Sequence, residues 1–185
     1  METSANRTLM TEATASGINI RDANVDDVSA IHNIYNHYVR ESTATFAVVE
    51  ERIEDRFAWL EQHKQHKLPI IVAVGTKGLV FGWASVSSYS ERCAYKQSVE
   101  VSVYLAPEHV GKGIGSLLLD KVVQLAAKGG YHCVIAKICT ENEGSIHLFK
   151  SRNFEQVGIL REIGRKFDRW LDVMILQKML SGQTQ

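Results

Sequence analysis

The sequence predicts an α/β fold: one central, mixed, twisted sheet of about seven strands with helices on both faces. Three observations predict it. First, strand-like alternation and helical periodicity take turns along the 185 residues in the order β-α-α-β-β-β-α-β-α-β-β, as one sheet layered by helices requires. Second, residues 131–139 are apolar on both faces, the pattern of a strand buried inside a sheet. Third, residues 99–125 read as strand, glycine loop and helix in direct succession.

Taken in order, residues 1–17 are small and polar without an apolar core, which excludes a signal peptide and predicts a flexible tail. Residues 18–23 form a short strand. Asn24 offers a cap with Asp27 three residues on, and Val28, Ile31, Ile34, Tyr35 and Tyr38 give residues 25–40 one apolar helical face. The Ser/Thr-rich stretch 41–46 ends that helix, because hydroxyl side chains compete for backbone hydrogen bonds. Residues 50–66 form a second helix, with Ile53, Phe57 and Leu60 inward and the charged residues outward.

Residues 70–74 and 79–87 are strands joined by a Gly-Thr-Lys-Gly hairpin turn. Residues 88–97 form a polar connection carrying Arg92 and Tyr95. Residues 100–105 alternate as a strand, which Pro107 stops. The next helix opens at the glycines, with Ile114, Leu117, Leu118, Val122 and Leu125 at helical spacing, and Gly129-Gly130 terminates it. After the strand 131–139 come a short helix at 143–152, strands at 154–161 and 169–179, and a frayed end at 181–185. Residues 18–180 thus read as a single domain. Trp59, Trp83 and Trp170 read as packing residues, and Cys133 and Cys139, on one strand parity, as small core hydrophobes.

Composition narrows the functional classes. Hydrophobic residues make up 45% of the chain, and 21 basic residues balance 21 acidic ones. Zero net charge gives no electrostatic footprint for nucleic acid or an anionic membrane. No apolar run reaches the length of a membrane-spanning helix. Three cysteines without a C-x-x-C pair suit a reducing, cytoplasmic compartment, and the seven histidines show no metal-ligand spacing, so no metal is expected.

The glycine loop carries the chemistry. Glycines let a backbone approach a ligand closely, and the unpaired N–H groups of a helix start favour negative charge. Val110-Gly111-Lys112-Gly113-Ile114-Gly115 fits neither the Walker loop nor the dinucleotide fingerprint. It resembles instead the acetyl-CoA loop of the GNAT N-acetyltransferases, [QR]-x-x-G-x-[GA], departing from it where Val110 replaces Gln or Arg. The resemblance spans about residues 18–180 and implies the GNAT fold. Further stretches resemble the phosphinothricin and methionine sulfoximine acetyltransferase branch: Ile34 to Val39, Ser42 to Phe46, Ala94-Tyr95 with Val99 to Tyr104, and Gly164 to Val173.

That resemblance implies an acetyl-CoA-dependent transfer to the α-amino group of a small amino-acid-like substrate, and a homodimer. Glu100 matches the branch's general base. Val103, Tyr104 and Leu105 lie on the strand that pairs with the pantetheine arm. Gly111, Lys112, Gly113, Ile114, Gly115 and Ser116 match the pyrophosphate loop, with Val110 at its departing first position, and Asn142 matches a CoA contact. Phe46, Arg92 and Tyr95 match the substrate pocket. Independent chemistry agrees for Glu100. An ammonium of pKa ~10 is only about a thousandth neutral at pH 7, so attack on a thioester needs a nearby base. Read from the residues alone, however, Glu100 is a strand-edge carboxylate paired with a lysine or arginine. Arg92 reads either as a carboxylate clamp or as a solvated loop residue, Lys112 either as a phosphate contact or as solvent-facing, and Asn142 also as a helix cap.

Two departures stand beside these matches. Phe149 occupies the position where relatives carry a Tyr or His to protonate the departing thiolate; His147, two residues away, points to a different face. Asn153 replaces a usual Gly before Phe154, and Asn tolerates positive φ. A protein or peptide N-acetyltransferase and a catalytically idle CoA-binding module remain as alternatives on the same fold.

Overall fold

A computed structural model describes residues 17–180. The expectations for the tail, Gly17 apart, and for 181–185 fall outside the described residues. The elements are β1 (Asn19–Asp22), α1 (Val28–Glu41), α2 (Ile53–Gln65), β2 (Ile70–Val74), β3 (Val80–Ser88), β4 (Ser98–Leu105), α3 (Ile114–Lys128), β5 (Cys133–Cys139), α4 (Glu143–Lys150), β6 (Glu155–Lys166) and β7 (Arg169–Met179). They follow the predicted order. The seven strands form one sheet ordered β1-β2-β3-β4-β5-β7-β6. Only β4 and β5 pair in parallel; the other neighbours are antiparallel.

Strand β2 shows why helices cover both faces. Every residue in it is buried. Ile71 and Ala73 point into a core with Leu118, Leu119 and Val122 of α3. Ile70, Val72 and Val74 point into a second core with Val28 and Ile31 of α1 and Leu60 of α2. Alternation puts successive side chains on opposite faces, so an all-apolar strand needs two covers.

Several local readings need correction. A 3₁₀ turn, Val25–Asp27, precedes α1, and Asn24 and Asp27 form the expected capping box. Helix α2 starts at Ile53, and Phe57 is 39% exposed while Arg56 and His63 are buried with Leu60. The helix keeps its predicted period but turns a neighbouring stripe inward. Arg56 tolerates this because Glu51 neutralises it and the rings of Tyr35 and Trp59 lie 4.5 and 4.6 Å from its guanidinium. Burial pushes the pKa of His63 down, and its ring bonds Trp59 O and Ser87 Oγ.

Strand β6 runs five residues past its expected stop, from Arg161 to Lys166, by way of a bulge at Leu160–Gly164. Glu162 takes positive φ there, and its N–H donates to Asp172 Oδ1 at 2.7 Å. Phe167 and Asp168, both at positive φ, make the tight hairpin turn to β7. Asn153 has φ 60°, as its residue type suggested. Cys133 and Cys139 are buried. Trp170 is not a packing residue within the chain: it is 62% exposed. Among the described residues no helix is long and apolar enough to cross a membrane.

Candidate active site

The parallel pair β4–β5 creates the site. Its register joins Ser98, Val99 and Glu100 to Cys133, Val134 and Ile135. Beyond Glu100 a cleft of about 440 Å³ opens between the strands, lined by Val101–Tyr104 on one side and Ala136–Cys139 on the other. A crevice at the carboxyl ends of parallel strands is where α/β sheets bind ligands. A second cleft, of about 750 Å³, continues from Val103–Leu105 to the glycine loop. The two meet at Thr43, Ala44, Val103, Tyr104, Asn142 and Ser145, which line both.

The glycine loop is built for close approach. Gly111 and Gly113 line this cleft and have φ of 78° and 79°, which L side chains rarely adopt; a Cβ at either would meet no atom within 4 Å. Gly113 is the N-cap of α3 and supplies no side chain to the first-turn N–H groups. Those donors and the helix dipole form an anion cradle on the cleft wall. A pyrophosphate-bearing ligand fits such a wall. Val110, Gly111, Gly113, Gly115 and Ser116 line it, whereas Lys112 is exposed outside the lining, and the side chain of Ile114 belongs to the core.

The segment after α1 roofs both clefts, and a buried cation holds it. Lys166 Nζ donates to the carbonyls of Tyr38 (3.2 Å), Ser42 (2.6 Å) and Thr45 (2.8 Å). Its residue is 3% exposed, and burial lowers its pKa. Two of these carbonyls terminate α1, where a helix end favours positive charge. Tyr104 OH donates to Ala44 O at 3.3 Å, and burial holds this phenol far above its usual range. Phe46 lines the smaller cleft with its ring against Gly164, where any Cβ would lie 2.3 Å from it. Glycine at 164 is therefore what lets Phe46 take its place.

Glu100 lines the smaller cleft and is paired: Lys137 Nζ lies 2.7 Å from its Oε2. The ion pair foreseen from the residues alone thus exists, and it sits on the cleft wall. Asn142 caps α4, accepting from Ser145 N at 3.1 Å, and stands on the wall of both clefts. Phe149 is buried against Phe154 and faces the smaller cleft, and His147 lines the larger one.

Arg92 and Tyr95 are not brought to either cleft; both are exposed on the connection before β4. Tyr95 packs edge-on against Tyr89 at 5.4 Å, and Tyr89 lies 5.4 Å from Lys137 Nζ. Sequence reasoning missed Lys137 and Lys166. A lone lysine in the apolar run Cys133–Cys139 was the available signal, since lysine is almost never fully buried and must emerge somewhere. Lys166 gave none, because its carbonyl partners lie more than a hundred residues away. Among the described residues, no cluster of three or more His, Cys, Asp or Glu gathers to hold a metal.

Comparison with known proteins accords with this geometry. A family of acetyltransferase (GNAT) domains matches residues 20–175. The L-amino acid N-acyltransferase MnaT of Escherichia coli is 34% identical, over 91% of this chain and 97% of its own. An L-methionine sulfoximine/L-methionine sulfone acetyltransferase of Pseudomonas aeruginosa is 35% identical, over 85% of this chain and 92% of its own. The crystal structure of a phosphinothricin acetyltransferase from Sinorhizobium meliloti, in complex with acetyl-CoA, superimposes with a TM-score of 0.87 at 33% identity, covering 91% of this chain and 92% of that one. This chain belongs to the GNAT acetyltransferase family and is an N-acetyltransferase.

Proposed function

We propose that the enzyme transfers the acetyl group of acetyl-CoA to the α-amino group of a small amino-acid-like acceptor, of the phosphinothricin or methionine sulfoximine type, in a ternary complex. The observation that carries this reading is the junction of the two clefts: one leads to the glycine loop, the other holds Glu100, and they share one seam. The known acceptors and the bound acetyl-CoA of the relatives support the same reading.

In this reading the loop 110–116 and Asn142 hold the cofactor's phosphates, and its thioester arm runs along Val103, Tyr104 and Leu105. Backbone N–H groups of β4 beyond its pairing with β5 polarise the acetyl carbonyl. Glu100 takes the proton of the acceptor ammonium. The amine nitrogen then bonds to the acetyl carbon as the carbon–sulfur bond breaks, and the new amide nitrogen sheds its extra proton to solvent. Solvent protonates the departing thiolate, since Phe149 has no proton to give. Phe46 walls the acceptor.

Residues 18–180 act as one catalytic domain. Free thiols at Cys93, Cys133 and Cys139 suit a cytoplasmic enzyme. The working form is a homodimer: the terminal β6–β7 hairpin exposes the apolar side chains of Val157, Ile163 and Trp170, which a second copy would cover.

A thiol-release assay with acetyl-CoA across amino acids, sulfoximines, polyamines and peptides tests the proposal. Turnover concentrated on free amino acids and sulfoximines is expected. Turnover confined to peptides, or cofactor binding without turnover, would overturn it.

A further inference from the structure

We infer that Lys137 anchors the carboxylate of the acceptor, so that Lys137 and Glu100 together read the two charges of an α-amino acid. The inference rests on the acetyl transfer proposed above and adds the residue that selects the acceptor class.

Of the residues lining the smaller cleft, Glu100 and Lys137 are the two that carry charge. The register explains their meeting. Glu100 faces Ile135 across the parallel pair, and Lys137 lies two residues further on the same face. Their side chains are 32% and 42% exposed, so both heads reach the opening rather than the core. Without an acceptor they neutralise each other at 2.7 Å. An ion pair this exposed adds little to the fold and opens readily.

An α-amino acid carries its ammonium and carboxylate one carbon apart. It therefore needs an anion and a cation side by side, which is what this pair offers. On entry, the acceptor's ammonium replaces Lys137 as the partner of Glu100, and its carboxylate replaces Glu100 as the partner of Lys137. One ion pair becomes two. The exchange also delivers the amine to the group that deprotonates it. A simple amine could engage Glu100 but would leave Lys137 without a new partner. The ring of Tyr89, 5.4 Å from the ammonium and braced by Tyr95, limits how far Lys137 can swing. This also gives Tyr95 a place in the site at one remove. Arg92 is exposed and lines neither cleft.

The test compares L-methionine sulfoximine with its methyl ester, which keeps the amine and lacks the carboxylate charge. kcat/KM for each is measured by thiol release with wild type, Lys137→Met, Lys137→Arg and Arg92→Ala, after melting curves confirm folding. Losing Lys137 also frees Glu100, but that affects both acceptors, so the acid-to-ester ratio isolates the carboxylate. The ratio should fall roughly 10- to 150-fold in Lys137→Met, the usual worth of a charge-assisted hydrogen bond, and should largely recover in Lys137→Arg. A ratio unchanged in Lys137→Met overturns the anchor, as does a ratio that collapses only in Arg92→Ala; in both cases acetyl transfer still stands. A wild type that acetylates neither compound overturns the acceptor class and the anchor with it.

Discussion

Replacing Lys166 with Met should destabilise the fold and misplace the roof of both clefts. Met keeps the length of the stem and removes the ammonium. Tyr38 O would retain the N–H of Ser42, at 3.2 Å, as a partner. Ser42 O and Thr45 O would lose the donor that Lys166 supplies at 2.6 and 2.8 Å. Each unsatisfied buried carbonyl costs about 1–3 kcal/mol, or about 2–6 kcal/mol for the two. Relief of the desolvated ammonium offsets part of this, leaving a net loss of about 2–4 kcal/mol. For a domain of this size that lowers Tm by about 5–15 °C. Turnover should fall further than stability explains, because a reacting group displaced by 1 Å can cost about 100-fold. Thermal unfolding by circular dichroism and thiol release at 20 °C, where the variant remains folded, give the two readings. A Tm within about 2 °C of wild type together with full turnover would refute the role of Lys166 as the pin of residues 42–46.

Three further outcomes follow from particular contacts. Gly113→Val forces a β-branched residue into φ 79° and fills the open side of the loop; calorimetric titration should show acetyl-CoA binding lost in a folded protein, and unchanged affinity would remove the loop from the site. Desolvation raises the pKa of Asp27, but the Arg21 hydrogen bonds, the Asn24 N–H and the Arg21 charge outweigh it and hold the carboxylate below its ordinary 3.8. Between the folded pKa and 3.8 the unfolded chain binds more protons, so this stability is complete above about pH 3.8 and disappears as pH falls through the folded value. Asp27→Asn should therefore destabilise at pH 6 and converge on wild type in strong acid; a difference independent of pH would contradict the assignment. Sedimentation at micromolar concentration should show a homodimer, and Trp170→Glu should shift it toward monomer; a wild-type monomer would refute the β6–β7 hairpin as an interface.

Much of the fold was legible because each element carries a local signal. The two-sided apolar run of β2, the Asn24–Asp27 capping box and the glycine start of α3 each specify their own geometry. The errors fall where a distant partner overrides the local pattern. Arg56 reads as surface until Glu51 and three aromatic rings surround it. The bulge at Glu162 depends on Asp172, ten residues away. In the site, Glu100, the glycine loop and Asn142, named from contiguous motifs, come to line the two clefts. The meeting of Lys137 with Glu100 becomes visible only when β4 and β5 are set in register, and the contacts of Lys166 only when the end of β6 meets the end of α1.

The central claim is that Glu100 removes the acceptor's proton, and a pH–rate profile of Glu100→Gln tests it most directly. Gln keeps the shape and reach of the side chain and loses the base. Acetyl-CoA affinity should change little, because the proposed cofactor contacts lie in the other cleft and on backbone groups. At neutral pH the rate should fall roughly 10²- to 10⁴-fold, the usual worth of a positioned base. The deficit should shrink as pH rises from about 6 to 9.5, as bulk deprotonation of the amine replaces the missing carboxylate. If Glu100 serves only as the partner of Lys137, the exposed pair is worth about 0–1 kcal/mol and turnover survives its loss. A rate that falls at pH 7 and recovers in alkali is the predicted result; near-equal rates at pH 7 would contradict it.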